Sequence, residues 1–165
     1  LSGSIEQTVC DLLCSYVGID AFVHLLQDVD PDPIWICEEI DVCAVATNAS
    51  GYFGYVDVSP PVGRKGTTFD ISVSFTITSP IGTGEVSFEI APPNGEAFGT
   101  AETLIGTQDG SYQAELQVEA KPSEQEPFDA GVYMIVTALC EGTCGSIHSN
   151  SYTIATDTAN FTIKA

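Results

Sequence analysis

Apolar and polar positions change their period near residue 48. Before it, apolar side chains recur at helical spacing: Val9, Leu12, Leu13, Tyr16 and Val17, then Phe22, Val23, Leu25 and Leu26. Each set lines one face of a 3.6-residue repeat. Gly18 breaks the first helix and Asp20 caps the second. Pro31 and Pro33 disfavour helix at the residues before them, so Asp28 to Pro33 is read as a turn. A third helix is predicted from Pro33, with Asp32 as its cap. It carries Ile34, Trp35, Cys37, Ile40 and Cys43.

After residue 50 the period becomes two. Phe69, Ile71, Val73, Phe75 and Ile77 alternate with Asp70, Ser72, Ser74, Thr76 and Thr78, which is the pattern of a strand buried on one face. Val86 to Ile90, Tyr112 to Val118, Tyr133 to Leu139 and Tyr152 to Ile163 repeat it. Pro60-Pro61, Pro80-Ile81-Gly82, Pro92-Pro93-Asn94-Gly95 and Asp109-Gly110 punctuate the runs. About seven short strands with such spacing predict an antiparallel two-sheet sandwich. The chain is therefore expected to be mainly β, with a helical hairpin over residues 1–47 and a seven-stranded sandwich over 48–165.

Composition narrows the function. There are 23 acidic residues against 4 Lys and Arg, a net charge of −19. A nucleic-acid surface needs cations to neutralise phosphates, and this chain cannot supply a stripe of them. Attraction to anionic membranes is disfavoured for the same reason. No apolar run reaches the ~20 residues of a spanning helix. The chain starts at Leu1 and carries no basic-then-apolar leader pattern, so it is read as a mature chain after leader removal, or as a fragment. An even count of 6 cysteines predicts a disulfide framework in a secreted protein. The triplets Asn48-Ala49-Ser50 and Asn160-Phe161-Thr162 are candidate glycosylation sites in that compartment.

Four cysteines form two close pairs, Cys10/Cys14 and Cys37/Cys43. An antiparallel hairpin would join them in nested order, Cys10 to Cys43 and Cys14 to Cys37, although spacing leaves connectivity open. Zinc is the rival use of four cysteines, disfavoured by the long spacing and the secretory signs. Cys140 and Cys144 flank a tip containing Gly142, so a local disulfide pinning that loop is expected. A rigid recognition loop is the functional alternative.

The stretch Cys10 to Cys43 resembles the second half of a saposin B-type domain. The match lies in the helix Ala21 to Gln27, the Asp30-Pro31 turn and the terminal Cys37-x5-Cys43. The first half of such a domain is missing and Cys14 is extra, which puts lipid transfer in doubt. Asp129-Ala130-Gly131-Val132-Tyr133 resembles the D-x-G-x-Y corner of immunoglobulin-like domains. Ile135 stands where antibody-type domains carry a cysteine, so the likeness is to the architecture. A saposin-like segment followed by a sandwich containing Cys140-Glu141-Gly142-Thr143-Cys144-Gly145-Ser146-Ile147-His148 is similar to the countin family, secreted proteins of social amoebae. That resemblance implies a non-enzymatic extracellular factor of the kind that senses cell number and limits group size.

The remaining candidates are weighed on their own residues. Asp28, Asp30, Asp32 and Glu39 fit an EF-hand-like count, but Pro33 stands where that loop needs glycine. An acidic turn is the better reading, and no metal or cofactor is expected. His24 and His148 are isolated from any nucleophile motif, so no catalytic set is expected. His24 is read as half-buried and His148 as exposed. Ile34, Trp35 and Ile36 are a dense apolar knot that one thin hairpin cannot bury alone, so burial against the sandwich or a second chain is expected. With Phe22 and Leu26, Ile34 and Trp35 form the candidate interaction surface, for other protein subunits or for self-association, with lipid as a further possible contact. Two alternative functions stand beside signalling: a structural subunit of an extracellular filament or coat, and a saposin-like membrane-active effector.

Overall fold

The computed structural model describes residues 32–165. Cys10, Cys14, Phe22, His24, Leu26, Asp28, Asp30 and the first two expected helices lie outside them. One helix, α1 (Pro33–Glu39), precedes the strands. Asp32 is its N-cap, as expected, with its carboxylate accepting from the amides of Ile34 and Trp35. The helix is shorter than expected and stops before Ile40 and Cys43. The amides of both Val42 and Cys43 turn back to the Cys37 carbonyl, and Asp41 adopts φ 56°, a left-handed turn that ends a helix.

Cys37 bonds to Cys43. This corrects the nested expectation: neither is available to Cys10 or Cys14. The backward turn brings the two Cα atoms to 5.1 Å, whereas a continuing helix would have carried Cys43 away from Cys37.

Eight strands follow: β1 (Ser50–Ser59), β2 (Val62–Arg64), β3 (Thr68–Ser79), β4 (Ile81–Ala91), β5 (Phe98–Thr107), β6 (Gly110–Glu119), β7 (Gly131–Glu141) and β8 (Tyr152–Lys164). They form two sheets, ordered β1-β3-β6 and β2-β8-β7-β4-β5. Eight strands stand where about seven are expected, and Pro60 and Pro61 separate β1 from β2. They carry the chain from the β1 edge of one sheet to β2, which pairs parallel to β8 at the edge of the other.

One core lies between the sheets. Phe69, Ile71, Val73, Phe75 and Ile77 of β3 are each no more than 2% exposed. They meet Val86, Phe88 and Ile90 of β4, Tyr133, Ile135 and Leu139 of β7, and Phe161 and Ile163 of β8. An aromatic series threads this core: Phe128 stacks on Tyr133, Tyr133 on Phe161, and Phe161 lies 4.2 Å from Phe69 between ring centres. The Tyr133 hydroxyl donates to the Asp129 carbonyl at 3.1 Å. This closes the corner that Asp129 to Tyr133 marks in the sequence. Burial, with the Glu126 carboxylate nearby, pushes the Tyr133 phenol up to about 12, so it remains a donor at all ordinary pH.

Candidate functional site: a joint built from buried carboxylates

The helical segment is attached to the sheets through three buried acids, Asp32, Glu85 and Glu141, and a fourth, Glu38, is buried on the helix itself. The three are held by different parts of the fold.

Asp32 sits at the start of α1. Its Oδ1 accepts from the amides of Ile34 and Trp35 and from the Thr143 hydroxyl at 2.7 Å. A helix cap thereby doubles as a link to the loop after β7. The same loop is fixed from below. Cys140 bonds to Cys144, the Gly142 amide reaches the Thr83 carbonyl, and the Cys144 amide donates to Glu85 of β4 at 2.8 Å. On its upper side His148 stacks on Trp35, ring centres 4.2 Å apart and planes 12° from parallel. His148, expected to be exposed, is half-buried by this stack.

Glu141 ends β7 and is wholly buried. Oε1 accepts from the Ala46 amide at 2.6 Å, and Oε2 from Gly82 at 3.1 Å. Tyr152 completes the clamp: its hydroxyl donates to the Ala46 carbonyl and accepts from the Ala49 amide. The connection between helix and sheets therefore has side-chain partners for its backbone groups, as burial demands. Gly82 is required here, because a Cβ would lie 2.5 Å from the Ala44 carbonyl oxygen.

Glu38 differs from the others. Neither of its oxygens has a hydrogen-bond partner of good geometry among the described residues, although the Asn150 side chain lies nearby.

Charge follows from these surroundings. Burial raises Glu38, Glu85 and Glu141 above their ordinary 4.5. Neighbouring carboxylates push Glu38 further, and Asp32 does so for Glu85. Backbone amides only partly offset burial at Glu85 and Glu141. Asp32 moves the other way: burial raises it, but hydrogen bonds from Thr143 and the Trp35 amide, with Ser146 and His148 nearby, together bring it below 3.8.

The consequence for pH has a definite sign. A carboxyl whose folded value is raised adds most to stability below its unfolded value, and that contribution is lost as pH rises through the folded value. Asp32 contributes above its unfolded value and fails only as pH falls through its lowered one. The joint is thus expected to be firmest near pH 4–4.5, between the ordinary Asp and Glu values, and looser at pH 7.5. Hydrogen-exchange protection of the Ala46 and Cys144 amides, corrected for intrinsic rates, should fall between these pH values. Unchanged or rising protection would contradict this account.

The expected surface residues are divided by the structure. Trp35 is half-buried on His148. Ile34 is 2% exposed, which corrects its assignment to a free surface: flanking Trp35 on the helix, it points inward with Ile36. Asn48 and Asn160 are both exposed. The pattern gave no sign of Glu85, Glu141, Thr143 or Tyr152 as joint residues. The available signal was weak: a carboxylate beside apolar strand positions in Glu85-Val86 and Cys140-Glu141.

Among the described residues, no group of three or more His, Cys, Asp or Glu side chains is arranged to hold a metal ion. No described helix is long and apolar enough to cross a membrane. The arrangement defines a disulfide-bonded, mainly β protein whose preceding helix is fastened to its sheets by buried acids. The chain belongs to the countin family: residues 51–165 match the countin C-terminal domain and residues 1–41 the countin N-terminal domain. Countin-1 of Dictyostelium discoideum is 48% identical over 98% of this chain and 63% of its own length. Countin-2 of the same organism is 43% identical over 100% of this chain and 65% of its own length. Countin-3, also from that organism, is 43% identical over 94% of this chain and 70% of its own. The chain thus spans somewhat less than two thirds of countin-1 and countin-2. Among solved structures, the alkylpurine DNA glycosylase AlkC of Pseudomonas fluorescens, bound to DNA containing an abasic site analogue, aligns with a TM-score of 0.50. The alignment has 14% identity and covers 71% of this chain and 30% of that one. At that identity the likeness is one of fold alone.

Proposed function

We propose that this chain is a secreted, non-enzymatic factor that regulates cell number or group size by associating with other protein subunits. One observation carries the reading: the likeness to countin-1 runs through 98% of the chain at 48% identity, across both the helical and the β part. The geometry supports association over catalysis. Glu85 and Glu141 are occupied by backbone amides, not poised beside a nucleophile. The loop gripping α1 also carries Ile147, an apolar side chain 91% exposed, close in sequence to the disulfide that stiffens it. A rigid loop with an apolar tip is a suitable docking element.

In this reading the β part is an immunoglobulin-like sandwich, supported by its two-sheet strand order and by the Tyr133 corner. The helical part is a half-saposin unit, supported by the Asp32 cap and the helix leading into Cys37, and closed locally by the bond to Cys43. Secretion agrees with both disulfides and with glycan acceptance at the exposed Asn48 and Asn160.

The test is group size. Purified protein added to aggregating Dictyostelium discoideum cells is expected to shift the number of cells per group in a dose-dependent way. Ile147→Asp is expected to weaken that shift at least several-fold without changing the thermal midpoint, since Ile147 packs against little. No shift at any dose of the unaltered protein would overturn the signalling role. Sedimentation as large ordered polymers would instead favour the filament-subunit alternative.

A further inference from the structure

The outer face of the smaller sheet is built unlike the rest of the surface. Strict alternation along β1 would send Tyr52 and Tyr55 to opposite sides. They are on the same side, 56% and 44% exposed. The reason is a β-bulge: the pairing of β1 with β3 slips between Phe53 and Tyr55, so that Gly54 is extra and the period restarts. Tyr52 then stands opposite Thr76 and Tyr55 opposite Ser74, two strand rises of ~3.4 Å apart. Phe53 and Val56 still pack inward. A Cβ at the bulge would fall 2.7 Å from the Ser74 hydroxyl, which would have to turn aside.

Beside the tyrosines the face carries only polar groups, several already fixed across strands. Gln113 donates to the Tyr55 hydroxyl at 3.2 Å, and Gln117 to Asp70 at 2.7 Å. Thr76 and Ser111 share a hydrogen bond at 3.2 Å. Asp70, Ser72, Glu115 and Gln117 line a shallow depression of about 490 Å³. No Lys or Arg occurs in β1, β3 or β6.

We infer that this face binds a neutral oligosaccharide, with Tyr52 and Tyr55 as its stacking platform. The C–H faces of pyranose rings complement the electron-rich face of an aromatic ring. Their hydroxyl groups both donate and accept, so they can satisfy the carboxylates of Asp57, Asp70 and Glu115 as well as the amides of Gln113 and Gln117. A protein partner without cations of its own would bury those acids unpaired, at a heavy desolvation cost. Anionic polymers such as uronates or sulfated glycans are repelled by the same acids. The inference is independent of the countin-type reading and of the Ile147 loop.

The test is affinity electrophoresis of the whole protein in gels containing neutral cellulose-, chitin-, laminarin- or mannan-type polysaccharides, with polygalacturonate as the anionic control. Titration calorimetry with the matching hexasaccharide follows. At least one neutral polymer is expected to retard the protein, and polygalacturonate is not. Tyr52→Ala and Tyr55→Ala should each weaken binding at least tenfold, with an unchanged thermal midpoint because both rings are exposed. Asp70→Asn keeps the shape of the depression and should weaken binding less. Retardation by none of the neutral polymers would overturn the inference. So would binding that survives the double variant Tyr52→Ala/Tyr55→Ala, or a protein partner found to need both tyrosines.

Discussion

Phe161→Ala is expected to lower the thermal midpoint more than any other single change considered for this protein. Phe161 is fully buried. It sits between two rings, stacked on Tyr133 at 5.0 Å and tilted against Phe69 at 4.2 Å. It thereby joins the last strand of one sheet to the central strand of the other. Removing a buried phenyl ring forfeits its transfer energy and leaves a cavity, about 3–5 kcal/mol together. At ~2–4 °C per kcal/mol for a chain of this size, the midpoint should fall by roughly 6–20 °C. Phe161→Leu retains most of the volume and should lose only a fraction of this. Both variants leave Asn160-x-Thr162 intact, so a glycan at Asn160 cannot confound the comparison. Calorimetric melting of the three proteins checks it. A fall of only 1–2 °C for the alanine variant would mean that the aromatic series is not the keystone of the core.

Glu141→Ala is expected to have the second largest effect, of a different kind. The substitution strands the Ala46 and Gly82 amides, which Glu141 accepts at 2.6 and 3.1 Å. A buried donor left without a partner costs about 1–3 kcal/mol. Both amides are part-buried, which puts each near the low end of that range; together they amount to about 2–3 kcal/mol, or roughly 4–12 °C in the midpoint. The loss should be local first. Exchange of the Ala46 amide should rise sharply, and Trp35 fluorescence should shift as its stack on His148 loosens, while β3 amides stay protected. Glu141→Gln keeps one acceptor oxygen and cannot ionise. It should restore much of the stability and abolish the part of the pH dependence that Glu141 contributes. Uniform weakening across all strands would show that Glu141 supports the sheets and not the joint.

Where apolar and polar residues alternate strictly, the fold was legible in the sequence. In β3 every second residue from Phe69 to Ile77 is buried, as its pattern requires. The Asp32 cap was legible because capping is a local matter of one carboxylate and the next three amides. The Cys140–Cys144 bond was legible from a short spacing around a glycine. Other elements were hidden for physical reasons. β5 runs Phe98-Gly99-Thr100-Ala101-Glu102-Thr103-Leu104, where small residues blur the period of an edge strand. β1 was obscured by its own bulge, since the extra Gly54 shifts the phase halfway along. The Cys37–Cys43 bond was not legible, because a helix continuing through Cys43 would separate the two cysteines, and the left-handed turn at Asp41 has no strong sequence signal.

By itself, then, the sequence determined what depends on neighbours in the chain. The mainly β character, the inward face of the long strands, the start of α1, the tyrosine corner and the loop disulfide all follow from spacings of a few residues. The excess of acid over base is read from composition alone. Tertiary structure alone decided what depends on residues far apart in the chain. Glu141 meets Ala46, and Thr143 meets Asp32, across separations of 95 and 111 residues. The two tyrosines of β1 share a face only because pairing with β3 slips by one residue. Period-two and period-3.6 patterns report which side of an element is apolar. They carry no record of which distant backbone group a buried carboxylate will serve, because that is settled only when the sheets close and each buried polar group must find a partner.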